Sequence, residues 1–508
     1  MTQARGYHRT FVARTVEDPS APVASEPEAR SPGDSRPRLL PVILLAAFLL
    51  RFGAAVLSPN MFWPDEIFQT LEPAHRLAYG YGMVTWEFRV GARSWVLPAI
   101  LAGVMRLTDR MGPGSQGYLT GIAFFLSLLA TVPVYVAWLW GKRVGGTRAG
   151  LVAALACATW PDLVYFAPKA LTEVIAAHVL LPGLYLATGS EEKSRRTLFL
   201  AGLLCGLAVA IRILLAPAVL LAMVWVCRRE FRQRWLPMGT GALLPLLFFG
   251  LVDTTTWGYP FYSYWMFYWQ NIVVGKSAQS GLVPWYGYWK MMGLTWGWAR
   301  LPFLGLAALG VRRSGFLGLL ALLIVFQHSL IPHKEYRYIF PAVLMLCVLA
   351  GLGLSLLLDL FRRRWERLSV VAASVLLAFW LLLAGYFAYR HSPFFQQLSG
   401  YLRAMSQVSR SADACGVGWW NVSWAVTGGY TYLHRNIPVY QAWDAKAEEV
   451  QRAGSLVNYM VTPDPPPGAV PGFEVLWCRD YACLLKRGGP CVTVPGYHIN
   501  RILEEQGF

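Results

Sequence analysis

Two adjacent acids, Asp65 and Glu66, stand in the stretch Asn60-Met61-Phe62-Trp63-Pro64-Asp65-Glu66-Ile67-Phe68-Gln69. Just before them, near Leu57, an apolar run of roughly 20 residues ends, enough to cross a bilayer. Pro64 suits the first position of a new helix, which puts both acids in its first turn. The positive end of the helix dipole favours their ionised forms. An ionised carboxylate at a membrane surface can take the proton of a hydroxyl. The same pair also reads as ordinary charge at a helix start. A second group, Pro332-His333-Lys334-Glu335-Tyr336-Arg337-Tyr338, opens another apolar run. His333, Lys334 and Arg337 are candidates to hold a lipid phosphate, Arg as a bidentate fork and Lys as a point charge. Glu335 lies among them.

These side chains must be positioned by membrane helices. The chain has 508 residues, of which 56% are hydrophobic and 14% charged. Long apolar runs in such a composition point to the membrane. The 22 Trp and 24 Tyr suit interfacial belts and sugar-stacking surfaces. The formal charge of +17 falls in clusters between apolar runs. That is the positive-inside pattern, with anionic lipid rather than nucleic acid as partner. Arg outnumbers Lys, as in GC-rich bacterial genomes.

Residues 1–38 are rich in Pro, Ser and mixed charge and read as a disordered cytoplasmic tail. Residues 39–390 read as a transmembrane domain. Its spans are expected at 39–57, 118–140, 149–167, 170–188, 198–211, 213–227, 236–252, 291–311, 315–331, 338–358 and 368–389. Arg51, inside the first, should face protein rather than lipid. Within the outer segment 58–116, Pro64–Leu71 and Pro73–Tyr79 are expected as short helices broken at Pro73 and stopped at Gly80. Residues 95–107 are too short to span and should lie on the membrane. With the N-terminus inside, about eleven spans put every basic cluster inside. They put Asp65, Glu66, Arg212, Asp253, the loop 254–290 and His333–Arg337 outside, together. The aromatics of that loop, Trp285 and Tyr286 among them, read as an interfacial belt or as a wall for a lipid tail and sugar rings.

Residues 391–508 are expected to form a periplasmic or lumenal domain, with strands at Ile437–Gln441, Leu456–Val461 and Phe473–Trp477. Cys415, Cys478, Cys483 and Cys491 suggest disulfides, Cys478 and Cys483 being placed to face each other across a hairpin; zinc is the runner-up, a poor match because Cys-x4-Cys lacks a nearby His pair. The expected fold is thus an α-helical polytopic membrane protein with a small C-terminal extramembrane α/β domain.

Several motifs are missing. There is no His-Glu-x-x-His, no Asp-x-Asp and no complete phosphate-binding loop; Gly275-Lys276-Ser277 resembles only the end of one. No metal and no cofactor are expected.

Three stretches resemble glycosyltransferase family 22, the dolichol-phosphate-mannose-dependent mannosyltransferases of N-glycan and GPI assembly, within the GT-C superfamily. The first is Trp63–Gln69 with Leu71–His75, Tyr79–Gly82, Thr85–Phe88 and Arg93-Ser94. The second is Asp253 with Trp257-Gly258, Asn271, Gly281 and Pro284–Tyr286. The third is Pro332–Arg337. Trp63 stands where the family commonly has His.

The resemblance implies inverting transfer of a mannosyl or other hexosyl residue from a polyprenyl-phosphate donor to a lipid-linked glycan or glycolipid acceptor. It makes Asp65 the base, with Glu66 beside it on a sugar hydroxyl or a cation. His333, Lys334 and Arg337 would hold the phosphate, with Arg212 joining them and Asp253 positioning a sugar. Cationic side chains would do the work of a metal. A lipid or glycan transporter and a non-catalytic scaffold are the competing readings, but no internal repeat of the transporter kind is visible.

Overall fold

The computed structural model describes residues 39–507 apart from 190–192, 229, 280, 366, 368, 444 and 453. The expected tail 1–38 lies outside these residues. Among them, five helical stretches are long and apolar enough to cross a bilayer: Leu39–Leu57, Gln116–Thr159, Phe231–Trp257, Tyr336–Arg364 and Val370–Gln396. Shorter apolar helices cover Thr172–Ala187, Ile213–Cys227 and Gly315–Ser329. Most of the expected spans therefore exist as helices. Several are shorter than the roughly 20 residues that a hydrocarbon core demands.

The basic stretch 142–148 is a turn, as its charge suggested. Gly146 adopts a left-handed φ of 78°, and the helix Thr131–Thr159 folds back on itself there. The two arms touch so closely that a Cβ on Gly141 would lie 2.6 Å from the Ala149 carbonyl oxygen. Arg212 breaks a second hairpin. The helix Arg195–Ile211 ends at its extended backbone, and the helix Ala216–Cys227 follows a short 3-10 turn.

The helices pack around large aromatics. Trp160 stacks on Phe303 with ring centroids 4.1 Å apart, and Trp296, Trp380 and Phe387 surround it. Arg51 is fully buried in this core. It donates to the carbonyls of Cys157 and Ala158 at 2.8 and 3.0 Å, so the charge satisfies the end of a neighbouring helix instead of facing lipid.

The outer segment differs from expectation at Pro73. No break occurs there. A π-helical turn, Ile67–Leu71, runs directly into the helix Glu72–Tyr79. Proline lacks the N–H that an α-helix interior requires. Because the wider turn shifts the hydrogen-bond register just before Pro73, the missing donor is absorbed without a kink. Gly80, at φ 85°, ends the helix with its N–H on the Arg76 carbonyl.

The C-terminal region carries a five-stranded sheet. Its strands are β1 (Val417–Trp420), β2 (Val439–Ala442), β3 (Tyr459–Pro463), β4 (Glu474–Arg479) and β5 (Ala482–Lys486). The order is β2-β1-β3-β5-β4. β1 is parallel to β2 and β3, and β5 is antiparallel to β3 and β4. Cys478 and Cys483 are cross-strand partners in the β4–β5 hairpin and are disulfide-bonded. Cys415 and Cys491 form the second disulfide. Cys157, Cys205, Cys227 and Cys347 are free and buried among the helices.

One carboxylate anchors much of the contact between this region and the outer segment. Glu72 is fully buried and accepts from the backbone N–H of Met83, Tyr430 and Thr431 and from the Thr431 hydroxyl, at 2.6–3.1 Å.

Candidate active site

Asp65 and Glu66 follow each other on one helical turn, so their side chains diverge by about 100° and line different cavities. Asp65 lines a cavity of about 410 Å³, and Glu66 lines another of about 360 Å³. In the first, Asp65 is ion-paired with Arg337, 272 positions along the chain. Arg337 is almost fully buried and serves three carboxylates. Its Nη1 donates to Glu173 at 3.0 Å, its Nε to Glu335 at 2.5 Å, and its Nη2 to Asp65. Arg212 reaches the same Glu173 at 3.1 Å, and its guanidinium lies 5.2 Å from the centre of the Tyr338 ring.

What fixes Arg337 is the residue before it. The Tyr336 hydroxyl donates to the buried Asp162 carboxylate at 2.7 Å, and the Trp296 indole N–H does so at 2.8 Å. His333 lies at the cavity rim, with Nε2 3.1 Å from Glu335 and Nδ1 3.1 Å from the Gly281 carbonyl. The Glu335 hydrogen bond raises the His333 pKa above its usual value. Burial pushes the Glu335 carboxyl up, but Arg337 and His333 outweigh it and hold Glu335 well below the carboxylate range.

Three further residues complete the polar wall. Arg93 donates to Gln69 at 2.5 Å, and Gln69 donates to Glu87 at 2.9 Å. Burial raises the Glu87 pKa, with Arg93 opposing it. The Nε atoms of Arg93 and Arg212 are buried without a hydrogen-bond partner. Lys276 sits 4.2 Å above the Trp86 ring on the same cavity wall. Four Arg and Lys side chains, Arg93, Arg212, Lys276 and Arg337, thus line the cavity against three carboxylates, Asp65, Glu87 and Glu335. The cavity can accept a multiply charged anion while one carboxylate stays free to accept a proton.

Of the residues singled out from the sequence, Asp65, Arg212, His333, Glu335 and Arg337 line this cavity. The others do not. Lys334 is buried and turned away, donating to the carbonyls of Val283 and Ile331 at 2.9 and 2.5 Å. Glu335 has extended backbone just before the Tyr336 turn, and it and His333 face the cavity while Lys334 does not. Asp253 is fully buried and binds the N–H and hydroxyl of Ser263 at 2.9 and 2.6 Å, which pins the start of the helix Tyr262–Tyr268. Trp285 and Tyr286 are surface residues, 74% and 43% exposed. Glu66 is ion-paired with Lys169 at 3.1 Å. Trp63 packs on Phe166 at 5.2 Å and is core. Among the described residues, one cluster of three metal-ligand types exists, Asp464 with Cys478 and Cys483, and its cysteines are bonded to each other.

The profile of the Alg9-like mannosyltransferase family matches residues 42–433. The chain belongs to this family. GPI mannosyltransferase 3 of Yarrowia lipolytica is 29% identical over 410 residues, covering 78% of this chain and 76% of that protein. GPI alpha-1,2-mannosyltransferase 3 of Homo sapiens is 25% identical over 330 residues, covering 62% of this chain and 57% of its own length. The chain spans about three-fifths of the length of the vertebrate relatives it matches. Its fold resembles ArnT from Cupriavidus metallidurans bound to undecaprenyl phosphate, with a TM-score of 0.57 at 14% identity over 87% of this chain and 97% of that one. The chain is thus a multi-pass membrane member of the Alg9-like mannosyltransferase family, with a fold like that of ArnT.

The cavity and the residues that back its wall include several that sequence reasoning passed over. Glu87 and Arg93 lay within the matching stretches without an assigned role. Glu173 opens the helix Thr172–Ala187; an acid at the start of an otherwise apolar helix was the available signal. Lys276 sat in the segment dismissed as an incomplete phosphate loop. The aromatic wall is Trp86, Phe267 and Tyr338 rather than Trp285 and Tyr286.

Proposed function

We propose that the chain transfers a mannosyl residue, with inversion, from a polyprenyl-phosphate donor to a hydroxyl of a lipid-linked glycan on the periplasmic or lumenal side. The observation that carries this reading is the ion pair between Asp65 and Arg337 inside a cavity also lined by Arg93, Arg212, Lys276 and His333. The acceptor oxygen attacks the anomeric carbon from the side opposite the phosphate. The bond from that carbon to the phosphate oxygen breaks, and the electron pair leaves with the phosphate. The acceptor proton passes to the Asp65 carboxylate.

Arg337 links the two halves of the step. A guanidinium drawn toward the phosphate releases Asp65 from its ion pair, so donor binding activates the base. Arg212, Lys276 and His333 stabilise the charge that develops on the leaving group. The donor tail leaves the cavity past Phe267 and Ile272. The neighbouring Trp265, Tyr268, Trp269 and Val273 are more than half exposed and offer an apolar surface to lipid. The two disulfides near the sheet suit an oxidising compartment. The names of the relatives favour a mannosyl-bearing glycolipid acceptor and an α-1,2 linkage.

The test is transfer from a synthetic polyprenyl-phosphate mannose to a membrane lipid extract by the purified full chain. Asp65→Asn should lower the rate at least ~100-fold, the usual contribution of a positioned general base, with an unchanged melting temperature. Wild-type transfer by a folded Asp65→Asn protein removes Asp65 from the base role.

A further inference from the structure

Behind the π-turn from Asp65 lies the second cavity, about 360 Å³ in volume, which the proposed reaction does not use. Its lower wall is apolar: Val56 and Leu57 at the end of the first membrane helix, and Leu119 and Ile122 of the helix Gln116–Leu129. Leu57 is 81% exposed, so this wall continues into the lipid-facing surface. The upper wall comes from the helix Ser399–Arg410, which contributes Arg403, Ser406 and Arg410.

Four buried polar atoms on this cavity have no hydrogen-bond partner: Asn60 Oδ1, Ser115 Oγ, Tyr165 OH and Arg403 Nε. Asn60, Ser115 and Tyr165 are each at least nine-tenths buried. A native structure rarely leaves so many groups unsatisfied in one place, since each costs about 1–3 kcal/mol. Charge adds direction. Glu66 and Lys169 neutralise each other at 3.1 Å. Arg403 is held only loosely by Asp480, at 3.7 Å, and Arg410 is exposed at the rim. The cavity therefore combines two available guanidinium groups, several buried donors and acceptors, and an apolar floor open to the bilayer.

We infer that this cavity binds the head of an anionic lipid, a phosphodiester bearing free hydroxyls. The phosphate lies on Arg403 and Arg410, the hydroxyls on Asn60, Ser115 and Tyr165, and the chains along Val56, Leu57 and Leu119. A bulk phospholipid and the lipid anchor of a glycolipid acceptor share this chemistry.

The full chain in detergent micelles is titrated with phosphatidylinositol and with phosphatidylcholine of matched chains, and bound lipid is counted by native mass spectrometry. Phosphatidylinositol should bind at least tenfold more tightly. Arg403→Gln combined with Arg410→Gln should abolish the preference. Ser115→Ala deletes a hydroxyl that no other residue engages, so the fold is spared, and it should weaken phosphatidylinositol binding about three- to tenfold, the worth of one hydrogen bond. Asp65→Asn should bind the lipid as wild type does, which separates this site from the reaction. Competition between phosphatidylinositol and the acceptor extract in the transfer assay identifies the occupant as the acceptor anchor; its absence identifies a bulk lipid, and either supports the site. Equal binding of the two lipids, or wild-type binding by Ser115→Ala and the double variant, overturns it.

Discussion

At the scale of single residues, the site works by sharing one cation among several acids. Arg337 holds Asp65, Glu173 and Glu335 at once, so no carboxylate owns it and a phosphate can compete for it. His333 is the titratable member. Its hydrogen bond to Glu335 raises its pKa above the usual value of 6.5. A raised histidine contributes stability that is complete below its unfolded pKa and is lost as pH rises through the folded one. The same protonation adds a positive charge beside the proposed phosphate. Donor KM should therefore rise as pH increases above neutrality. In His333→Gln that rise should vanish, with KM already higher at acid pH. Transfer kinetics between pH 6 and 9 measure this; an identical pH profile in the variant excludes His333 from phosphate binding.

At the scale of elements, the site depends on how helices begin and turn. Asp65 and Glu66, successive residues on the helical turn that precedes the π-turn Ile67–Leu71, diverge by about 100° and line different cavities, and the residue after Leu71 leads into Pro73 without a break. The hairpin at Gly146 depends on glycines whose missing side chains let its arms touch. In Gly141→Val a methyl-bearing carbon would be forced within 2.6 Å of the Ala149 carbonyl. Overpacking of this kind costs about 1–3 kcal/mol or more. The variant should melt several degrees lower in detergent. Gly146→Ala meets no neighbouring atom, so its loss should reflect only the backbone, at φ 78° and ψ −179° a region essentially reserved to glycine, about 1–3 kcal/mol.

At the scale of the whole molecule, the sheet-bearing region is part of the site's frame. Glu72 accepts three hydrogen bonds across the junction, from Tyr430 and Thr431, and a fourth from Met83 on its own side. On the other side, Asn500 of the helix Ile499–Glu505 bonds Val84, Arg89 and Gly82 at 2.8–3.0 Å. Gly507 lines the cavity itself. Glu72→Ala would strand buried N–H groups at about 1–3 kcal/mol each. It should expose the segment 429–433 to protease and lower the melting temperature. Glu72→Gln keeps an acceptor oxygen and should fall between it and wild type. Equal protease resistance in all three proteins would show that docking does not run through this carboxylate.

The sequence by itself determined the periodic and the local. Apolar run lengths marked the helices, Gly80 the stop of one of them, and short apolar runs with a close cysteine pair the sheet and its hairpin. It also brought Asp65 and His333–Arg337 to one expected face, because polar residues at span ends have nowhere else to go. Only the tertiary structure decided which side chains share a cavity. The orientations of Lys334 and Glu66 depend on backbone dihedrals, and those of Glu87, Glu173, Arg93 and Lys276 on packing between segments far apart in the chain. A pattern along the chain records burial and period; it does not record direction. Direction is fixed when a buried charge finds the partner that lowers its cost, as Glu173 does with Arg212 and Arg337.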